Sequence, residues 1–384
     1  MGDINQINDV ASANISQVND VAKANIHEVN DQGVAASGAT LWTIVCADTN
    51  VATASNSDTT SWTAYDNISG SAPSASVDHI AVAVGQDGSS NTRYVCSFEA
   101  DNAELAYTDD PSNGNAWTVV QNLSNGNTIP CRAFDLAWGN GVWLTIGKMS
   151  SSNNNVLRST DGASWTAVDV SGVTGIANTG CYGIVYSGLN SENGGIFYFS
   201  QQNRIYKSTD GGASWSLQHT LLNASNADPG DIRGLFVTNS SLVAWVDANP
   251  AFIYSCSLSD DTDWNTGTQV STASSVNTNT RMNAANGRFI VTYGLRYWAA
   301  DINGKTITLE HDNAFITDGN ATFGSANCVA GDGTGTWIIG CLTGDVIKST
   351  DDGDSWSVQA TNIAPPEQDN ENMEHITSDL YKPI

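Results

Sequence analysis

The chain of 384 residues has a formal net charge of −26, because it contains 40 acidic side chains and only 14 basic ones. Such a surface repels the phosphates of nucleic acids, so the composition argues against a nucleic-acid partner. Hydrophobic residues account for 40% of the chain, which is enough for a packed core. No apolar run approaches the length of about 18 residues that a membrane-spanning helix needs.

The first predicted unit, residues 1–35, is an N-terminal arm built on an 11-residue repeat. Ile4, Ile15 and Ile26 are in register, and each copy contains an Asn–Asp pair. On a helix the apolar residues share one stripe, whereas the Asn–Asp pairs also suit turns between short extended segments, so both forms remain open. The arm cannot bury this stripe by itself, so it needs a partner in another subunit, elsewhere in the chain or in a different protein. The predicted assembly residues are Ile4, Ile7, Val10, Ile15, Val18, Val21, Ile26 and Val29.

Residues 36–362 contain a second, longer repeat that is marked by Trp residues. Successive marker residues lie 48 to 55 positions apart, except for the last pair, which is 92 apart. The long gap predicts one unmarked unit around residues 288–312, which gives seven units in total. Each unit reads as four short strands bounded by turn residues. The sequence therefore predicts an all-β fold, a seven-bladed β-propeller of four-stranded antiparallel blades.

The marker Trp ends the motif S-x-D-x-G-x-S/T-W, which is clearest in Ser159–Trp165, Ser208–Trp215 and Ser349–Trp356. This motif resembles the Asp-box, or BNR repeat, of sialidase-like and other propellers. It is expected between the third and fourth strands of a blade, where the Asp side chain accepts backbone hydrogen bonds and the Gly adopts a positive φ. We predict a structural role for it. The candidate box residues are Asp58, Trp62, Asp109, Trp117, Asp161, Trp165, Asp210, Trp215, Trp264, Asp351 and Trp356.

The resemblance to sialidases implies a catalytic set of three Arg, a Tyr–Glu pair and an Asp, which we did not find in this sequence. The segment around Arg132, "PCRAFDL", is a poor match to the F/Y-R-I-P motif of that family. The seven cysteines are spaced without a CxxC pair and are expected to be buried hydrophobic residues. We expect no enzymatic activity, no catalytic residue, no cofactor and no metal ion. The alternative is a glycan-binding lectin or a sialidase-like glycoside hydrolase.

Residues 363–384 are predicted to form an acidic C-terminal extension, which lies along the propeller, contacts a neighbouring molecule or is a solvated tail. The arm resembles repeats that precede propeller or fibre modules in structural proteins of tailed bacteriophages. This resemblance implies a virion structural protein, associated with the capsid or the tail. The arm would bind other virion proteins or a second copy of the chain. The propeller would act as an interaction or display module for a host-surface glycan or protein.

Overall fold

The computed structural model describes residues 41–46, 51–55, 57–65, 79–98, 105–113, 116–129, 131–149, 156–177, 179–191, 194–238, 240–248, 251–269, 281–285, 287–293, 296–314, 326–341, 344–360, 363 and 373–378. The chain divides into two compact units, Met1–Ala39 and Thr40–Ile384, and every described residue belongs to the second unit. The predicted arm, residues 1–35, therefore lies outside the described residues.

The described residues form seven four-stranded antiparallel sheets, which are the blades of a β-propeller. Blade 1 has the strand order β28-β1-β2-β3, and blades 2 to 7 take the following strands four at a time, from β4–β7 to β24–β27. In chain order the strands are β1 (Leu41–Cys46), β2 (Val51–Ser55), β3 (Asp58–Tyr65), β4 (His79–Gln86), β5 (Thr92–Phe98), β6 (Leu105–Thr108), β7 (Thr118–Val120), β8 (Cys131–Gly139), β9 (Val142–Met149), β10 (Val156–Ser159), β11 (Thr166–Val168), β12 (Cys181–Ser191), β13 (Gly194–Gln201), β14 (Arg204–Ser208), β15 (Ser216–Thr220), β16 (Asp231–Val237), β17 (Ser241–Asp247), β18 (Phe252–Ser257), β19 (Thr268–Gln269), β20 (Arg281–Ala285), β21 (Arg288–Tyr293), β22 (Arg296–Asn303), β23 (Thr306–Ala314), β24 (Ala326–Gly331), β25 (Trp337–Cys341), β26 (Val346–Ser349), β27 (Ser357–Ala360) and β28 (Met373–Ser378).

The prediction of seven four-stranded blades is confirmed. The unmarked unit is blade 6, and its two outer strands, β22 and β23, are joined by the short turn at Gly304 and Lys305 instead of a segment ending in Trp. Over the described residues there is no helix that is long and apolar enough to cross a membrane.

The inner strands of the seven blades form a closed ring. Strand β28 contacts β4, and contacts continue through β8, β12, β16, β20 and β24 back to β28. Strand β28 falls within the stretch that the sequence assigned to a C-terminal extension, residues 363–384. It pairs with β1, with Trp42 opposite Ser378 and Ile44 opposite Ile376. The last strand thus covers the inner edge of β1, which would otherwise be left unpaired.

The two ends of the blades are built differently. One end, which we call the turn face, holds the connections from third to fourth strand of each blade and, in blades 2 to 7, those from first to second strand. The other end, the loop face, holds the connections from one blade to the next, such as residues 121–130, 169–180 and 221–230. This assignment follows from the antiparallel order of the strands.

The core lies between neighbouring blades. One buried cluster joins Val95 and Leu105 of blade 2 to Trp143 and Trp165 of blade 3. Trp143 and Trp165 have no solvent-exposed surface. Packing of this kind between every pair of blades is the expected result of sheets that bury both faces.

Candidate functional site

The clearest motif copies form similar hydrogen-bonded turns at the turn face. In blade 4, the Asp210 carboxylate accepts a hydrogen bond from the backbone N–H of Ser214 at 2.9 Å and one from the Ser208 hydroxyl at 2.8 Å. The indole N–H of Trp215 donates to the carbonyl of Gly212 at 3.1 Å, and Gly212 has a φ of 80°. We call these connections, residues 160–165, 209–215 and 350–356, the box turns.

The other two box turns repeat these contacts. Asp161 accepts from the backbone N–H groups of Ala163 and Ser164, and Asp351 accepts from that of Ser355 at 2.9 Å. Partial burial raises the pKa of each box carboxyl, but the hydrogen bonds from its own turn outweigh burial, so the pKa lies below the usual value for Asp. The oxygens of these carboxylates are therefore engaged by donors of their own turns.

In blade 2 the carboxylate that bonds to the turn is not among the box residues predicted from the sequence. Asp110 accepts from the backbone N–H of Ser112 at 3.1 Å, and its own N–H donates to the hydroxyl of Thr108 at 3.0 Å. Thr108 ends the third strand, as Ser159 does in blade 3, so the turn Asp is the residue two positions after that strand. The selected residue, Asp109, forms an ion pair with Arg93 at 2.7 Å.

Blades 1 and 5 share a variant of the turn in which the carboxylate comes one residue later. In blade 1 Asp58 accepts from the backbone N–H of Thr60 at 3.0 Å. In blade 5 Asp260 accepts from that of Thr262 at 3.3 Å. The marker indoles keep their position: Trp62 donates to the carbonyl of the residue three positions earlier at 2.8 Å, and Trp264 does so at 2.9 Å.

The side chain three positions before the Trp links each variant turn to the preceding blade. Asp261 of blade 5 accepts from Lys207 Nζ at 2.6 Å, from Gln218 Nε2 at 2.7 Å and from the Tyr198 hydroxyl at 2.5 Å. All three donors belong to blade 4. Asp261 is buried, so this ion pair is largely removed from water.

At the junction between blades 7 and 1, a neutral hydroxyl group takes the place of the Asp261 carboxylate. Thr59 contacts Lys348 Nζ at 3.2 Å and donates to Gln359 Oε1 at 3.0 Å. Lys348 and Gln359 hold the same motif positions in blade 7 as Lys207 and Gln218 hold in blade 4.

Arginines connect further turns at this face. Arg93 donates to the carbonyl of Asp161 at 2.6 Å, and Arg158 donates to that of Gly211 at 2.8 Å. Arg288 bridges Asp301 of blade 6 and Asp354 of blade 7, at 2.9 and 3.0 Å. Each arginine joins its own blade to the next one, so these side chains contribute to the cohesion of the ring.

The loop face presents a different set of residues. Six of the seven inner strands contain a β-bulge near their first residues, at the loop-face end, and β20 of blade 6 runs without one. A bulge inserts one extra residue into one strand of a pair and disrupts the ladder locally. The bulged residues are Ile80, Phe134, Tyr182, Arg233, Asn327 and Glu374.

Two of these bulged residues meet across the junction of blades 4 and 5. The Arg233 guanidinium lies 4.3 Å from the centre of the Tyr182 ring, and it also lies 3.6 Å from the Asp231 carboxylate. About a third of the Arg233 side chain, 34%, is exposed. The Arg233 guanidinium, the Tyr182 ring and the Asp231 carboxylate thus lie together at the loop-face ends of the inner strands.

A carboxylate of blade 3 bonds to the inner strand of blade 4. Asp135 accepts from the backbone N–H of Ile184 on the neighbouring inner strand at 2.9 Å, and from that of Leu136 at 2.8 Å. Burial of the carboxyl group raises its pKa to about 7, although both hydrogen bonds act in the opposite direction. At the equivalent position of blade 4, Gly183 lies so close to the backbone of Leu235 that a Cβ atom would be only 2.5 Å from its nitrogen.

The cysteines with described side chains are buried: Cys96, Cys181, Cys256, Cys328 and Cys341. Burial raises the pKa of Cys341 to about 12 and that of Cys96 still further, so these thiols are unreactive at neutral pH. Within the described part of the chain, no group of three or more His, Cys, Asp or Glu residues is arranged to hold a metal ion.

Comparisons with known proteins establish the class of the molecule. No protein-family model and no curated protein sequence matches the chain. Among solved structures, YCF48 from Cyanidioschyzon merolae is 15% identical with a TM-score of 0.52, and the match covers 73% of this chain and 84% of YCF48. A chain of the mitotic checkpoint complex is 12% identical with a TM-score of 0.52, and the match covers 80% of this chain and 83% of that one. A Bacteroides uniformis protein described as a candidate 6-phosphogluconolactonase is 11% identical, also with a TM-score of 0.52, over 89% of this chain and 100% of the other.

The fold and these similarities define a seven-bladed β-propeller protein. At identities of 11 to 15% they establish the fold alone. Because one fold hosts many activities, function must be argued from the residues at the two faces.

Proposed function

We propose that the protein is a non-enzymatic interaction module of a bacteriophage virion. Its N-terminal arm would anchor it to other virion proteins of the capsid or tail, and its propeller would present a binding surface for a host-surface partner. The observation that carries this proposal is the three-fold repeat of the arm, with Ile4, Ile15 and Ile26 in register next to a propeller.

The energetics of the arm support an anchoring role. Full burial of a Val or Ile side chain contributes roughly 1.5–3 kcal/mol. Ordering the arm costs about 1–2 kcal/mol per residue for the backbone alone, so the stripe stabilises an ordered arm only where it meets a complementary surface. Coupling between ordering and binding suits a segment whose task is to attach the propeller to a larger assembly.

The turn face supports a structural role for the motif residues. Asp161, Asp210 and Asp351 direct their oxygens to donors of their own turns, and the nearby arginines bind carbonyl groups or carboxylates. Groups engaged in this way stabilise the blades. A glycan-binding lectin or a sialidase-like glycoside hydrolase is the alternative from the sequence.

Two measurements test the proposal. Mass spectrometry of purified particles of the phage that encodes the chain should detect the protein. Light scattering and particle incorporation should then compare the full chain, the chain without residues 1–35, and an Ile15→Asp, Val18→Asp variant of full length. We expect both altered chains to stay folded and to be lost from the particles. Normal incorporation of the truncated chain would show that the anchor lies elsewhere.

A further inference from the structure

The loops between the first and second strands of blades 2 and 7 have the same hydrogen-bonded structure. In blade 2, Asp87 Oδ1 accepts from the backbone N–H groups two and four positions later, both at 2.8 Å. In blade 7, Asp332 Oδ1 accepts from the N–H groups at the same two positions, at 2.8 and 3.1 Å. The backbone N–H of each Asp donates to the carbonyl four positions later at 2.9 Å. The two loops can therefore be compared residue by residue.

The second oxygen of this carboxylate has different surroundings in the two loops. Asp87 Oδ2 accepts from the amide group of the residue four positions later at 3.0 Å and lies 3.9 Å from the Arg93 guanidinium. The strand registers put Thr336 and Ile338 at the equivalent positions of blade 7. Asp332 is only 3% exposed, and among the described residues no group donates a hydrogen bond to its Oδ2. Asp332 thus has a buried acceptor oxygen without the partners that Asp87 has.

A second carboxylate lies beside the blade 7 loop. Asp352, in the box turn of the same blade, donates its backbone N–H to the carbonyl of Gly335 at 2.9 Å, and a Cβ atom on Gly335 would lie 4.0 Å from the Asp352 Cβ. Asp352 Oδ1 accepts from the Trp337 indole N–H at 2.8 Å. Asp352 has a φ of 60°, and the equivalent residue of blade 4 is Gly211, with a φ of 66°. Blade 7 therefore has a carboxylate at a position whose backbone conformation favours Gly.

We propose that Asp332 and Asp352 bind a hard divalent cation of the Ca²⁺ type. Buried charges in proteins are paired with an opposite charge or coordinate a metal ion. In blade 2 the Arg93 guanidinium supplies the opposite charge, whereas blade 7 has the apolar Ile338 at that position. Carboxylate, hydroxyl and carbonyl oxygens are the ligands of Ca²⁺, and the loop offers the Thr334 hydroxyl and backbone carbonyls beside the two carboxylates. The sequence led us to expect no metal ion, so this site is an addition to that analysis.

The burial of Asp332 favours a small ion over a basic side chain of another protein. A Lys or Arg from a partner would need an opening wide enough for its side chain, and Asp332 is almost fully covered. Asp352 is only half-buried, which leaves its carboxylate accessible to an ion from solvent. The net charge of −26 also raises the concentration of cations near the surface. The bound ion would join the first loop of blade 7 to its box turn.

Calorimetric titration of the full-length chain with CaCl₂, in a constant NaCl background, tests the site. Asp332→Asn removes the charge of the proposed ligand, and Asp87→Asn removes the same charge from the equivalent loop of blade 2. The difference between these variants separates the site from Ca²⁺ held by the other acidic side chains. We expect Asp87→Asn to bind Ca²⁺ as the unsubstituted chain does. Asp332→Asn should bind it at least about ten-fold more weakly, because Ca²⁺ affinity depends on the number of charged ligands.

Asp352→Asn tests the second ligand, and it suits the fold because Asn tolerates a left-handed conformation and keeps an acceptor for the Trp337 indole. At a Ca²⁺ concentration about one hundred times its Kd, the melting temperature of the unsubstituted chain and of Asp87→Asn should rise by about 3–4 °C. That of Asp332→Asn and Asp352→Asn should rise by less than about 1 °C.

Two results would overturn the cation site: no binding of Ca²⁺ by the unsubstituted chain, or equal affinities in Asp332→Asn and Asp87→Asn. A normal response of Asp352→Asn, with the response of Asp332→Asn lost, would overturn the assignment of Asp352 as a ligand. The experiment uses the free chain, so its outcome does not depend on whether the protein is a virion component.

Discussion

The turn face and the loop face of this propeller differ in what their polar side chains do. At the turn face, carboxylates, indoles and arginines bond to their own turns or to the adjacent blade, as in the contacts of Asp210 and Arg158. At the loop face, the inner strands are interrupted by bulges, and Tyr182 and Arg233 meet between two blades. The repeated motif therefore marks the part of the molecule that holds neighbouring blades together.

The largest effect should come from removing a marker indole. Trp165→Ala deletes a side chain that has no exposed surface and whose N–H donates to the carbonyl of Gly162. We expect a loss of about 3–5 kcal/mol in the free energy of unfolding, measured with urea. The exposed loop-face substitution Thr174→Ala is the control and should change it by less than about 0.5 kcal/mol. Similar losses in the free energy of unfolding for the two variants would contradict the idea that the turn face holds the blades together.

The two variant turns allow a charged junction to be compared with a neutral one. Asp261→Ala leaves Lys207, Gln218 and Tyr198 without their shared acceptor, and we expect it to cost about 3 kcal/mol. Thr59→Ala removes the neutral acceptor at the equivalent position of blade 1 and should cost only about 1 kcal/mol. Urea unfolding of both variants tests this ranking, and equal losses would contradict it.

The stability that carboxyl groups contribute at the two faces should change with pH in opposite directions. Burial raises the pKa of Asp135 from its usual 3.8 to about 7, so this group stabilises the fold at low pH and loses that contribution as pH rises through 7. The pKa values of Asp161, Asp210 and Asp351 are lowered, so their contribution is present above the usual value and is lost as pH falls through the lowered one.

Urea unfolding at pH 5 and pH 8 measures the Asp135 contribution. The unsubstituted chain should lose roughly 1–3 kcal/mol between these values through this group, and Asp135→Asn should lack that loss. An Asp210→Asn control should keep this loss between pH 5 and pH 8, because the contribution of Asp210 is present at both values and is lost only in acid. The same pH dependence in Asp135→Asn and the unsubstituted chain would show that another group titrates.

The sequence predicted the blades well because each marker Trp serves the packing between blades. The spacing of Trp62, Trp117 and the later markers is therefore the spacing of the blades, and the long gap before Trp356 reveals blade 6. The turn carboxylate of blade 2 was harder to identify. The turn carboxylate lies two positions after Thr108, the last residue of the third strand. An insertion between this carboxylate and Trp117 means that its position cannot be counted back from the Trp.

Other features depend on pairing between distant residues. The segment Met373–Ser378 has no strong local strand pattern and becomes a strand by pairing with β1, more than 300 residues earlier. The bulges at Tyr182 and Arg233 are defined by the register with the second strand of each blade, which a single-strand pattern does not contain. The loop-face cluster was therefore not identified from the sequence.

The central claim, that the motif carboxylates are scaffolding, is tested most directly by Asp210→Ala. This change removes the acceptor of the Ser214 N–H, of the Ser214 hydroxyl and of the Ser208 hydroxyl, and net contributions of about 1 kcal/mol for each bond predict a loss of about 2–3 kcal/mol in urea. The circular-dichroism spectrum and the incorporation of the variant into particles should stay unchanged. Unchanged stability combined with loss of incorporation, or of a hydrolytic activity, would contradict the account and make the turn a functional site.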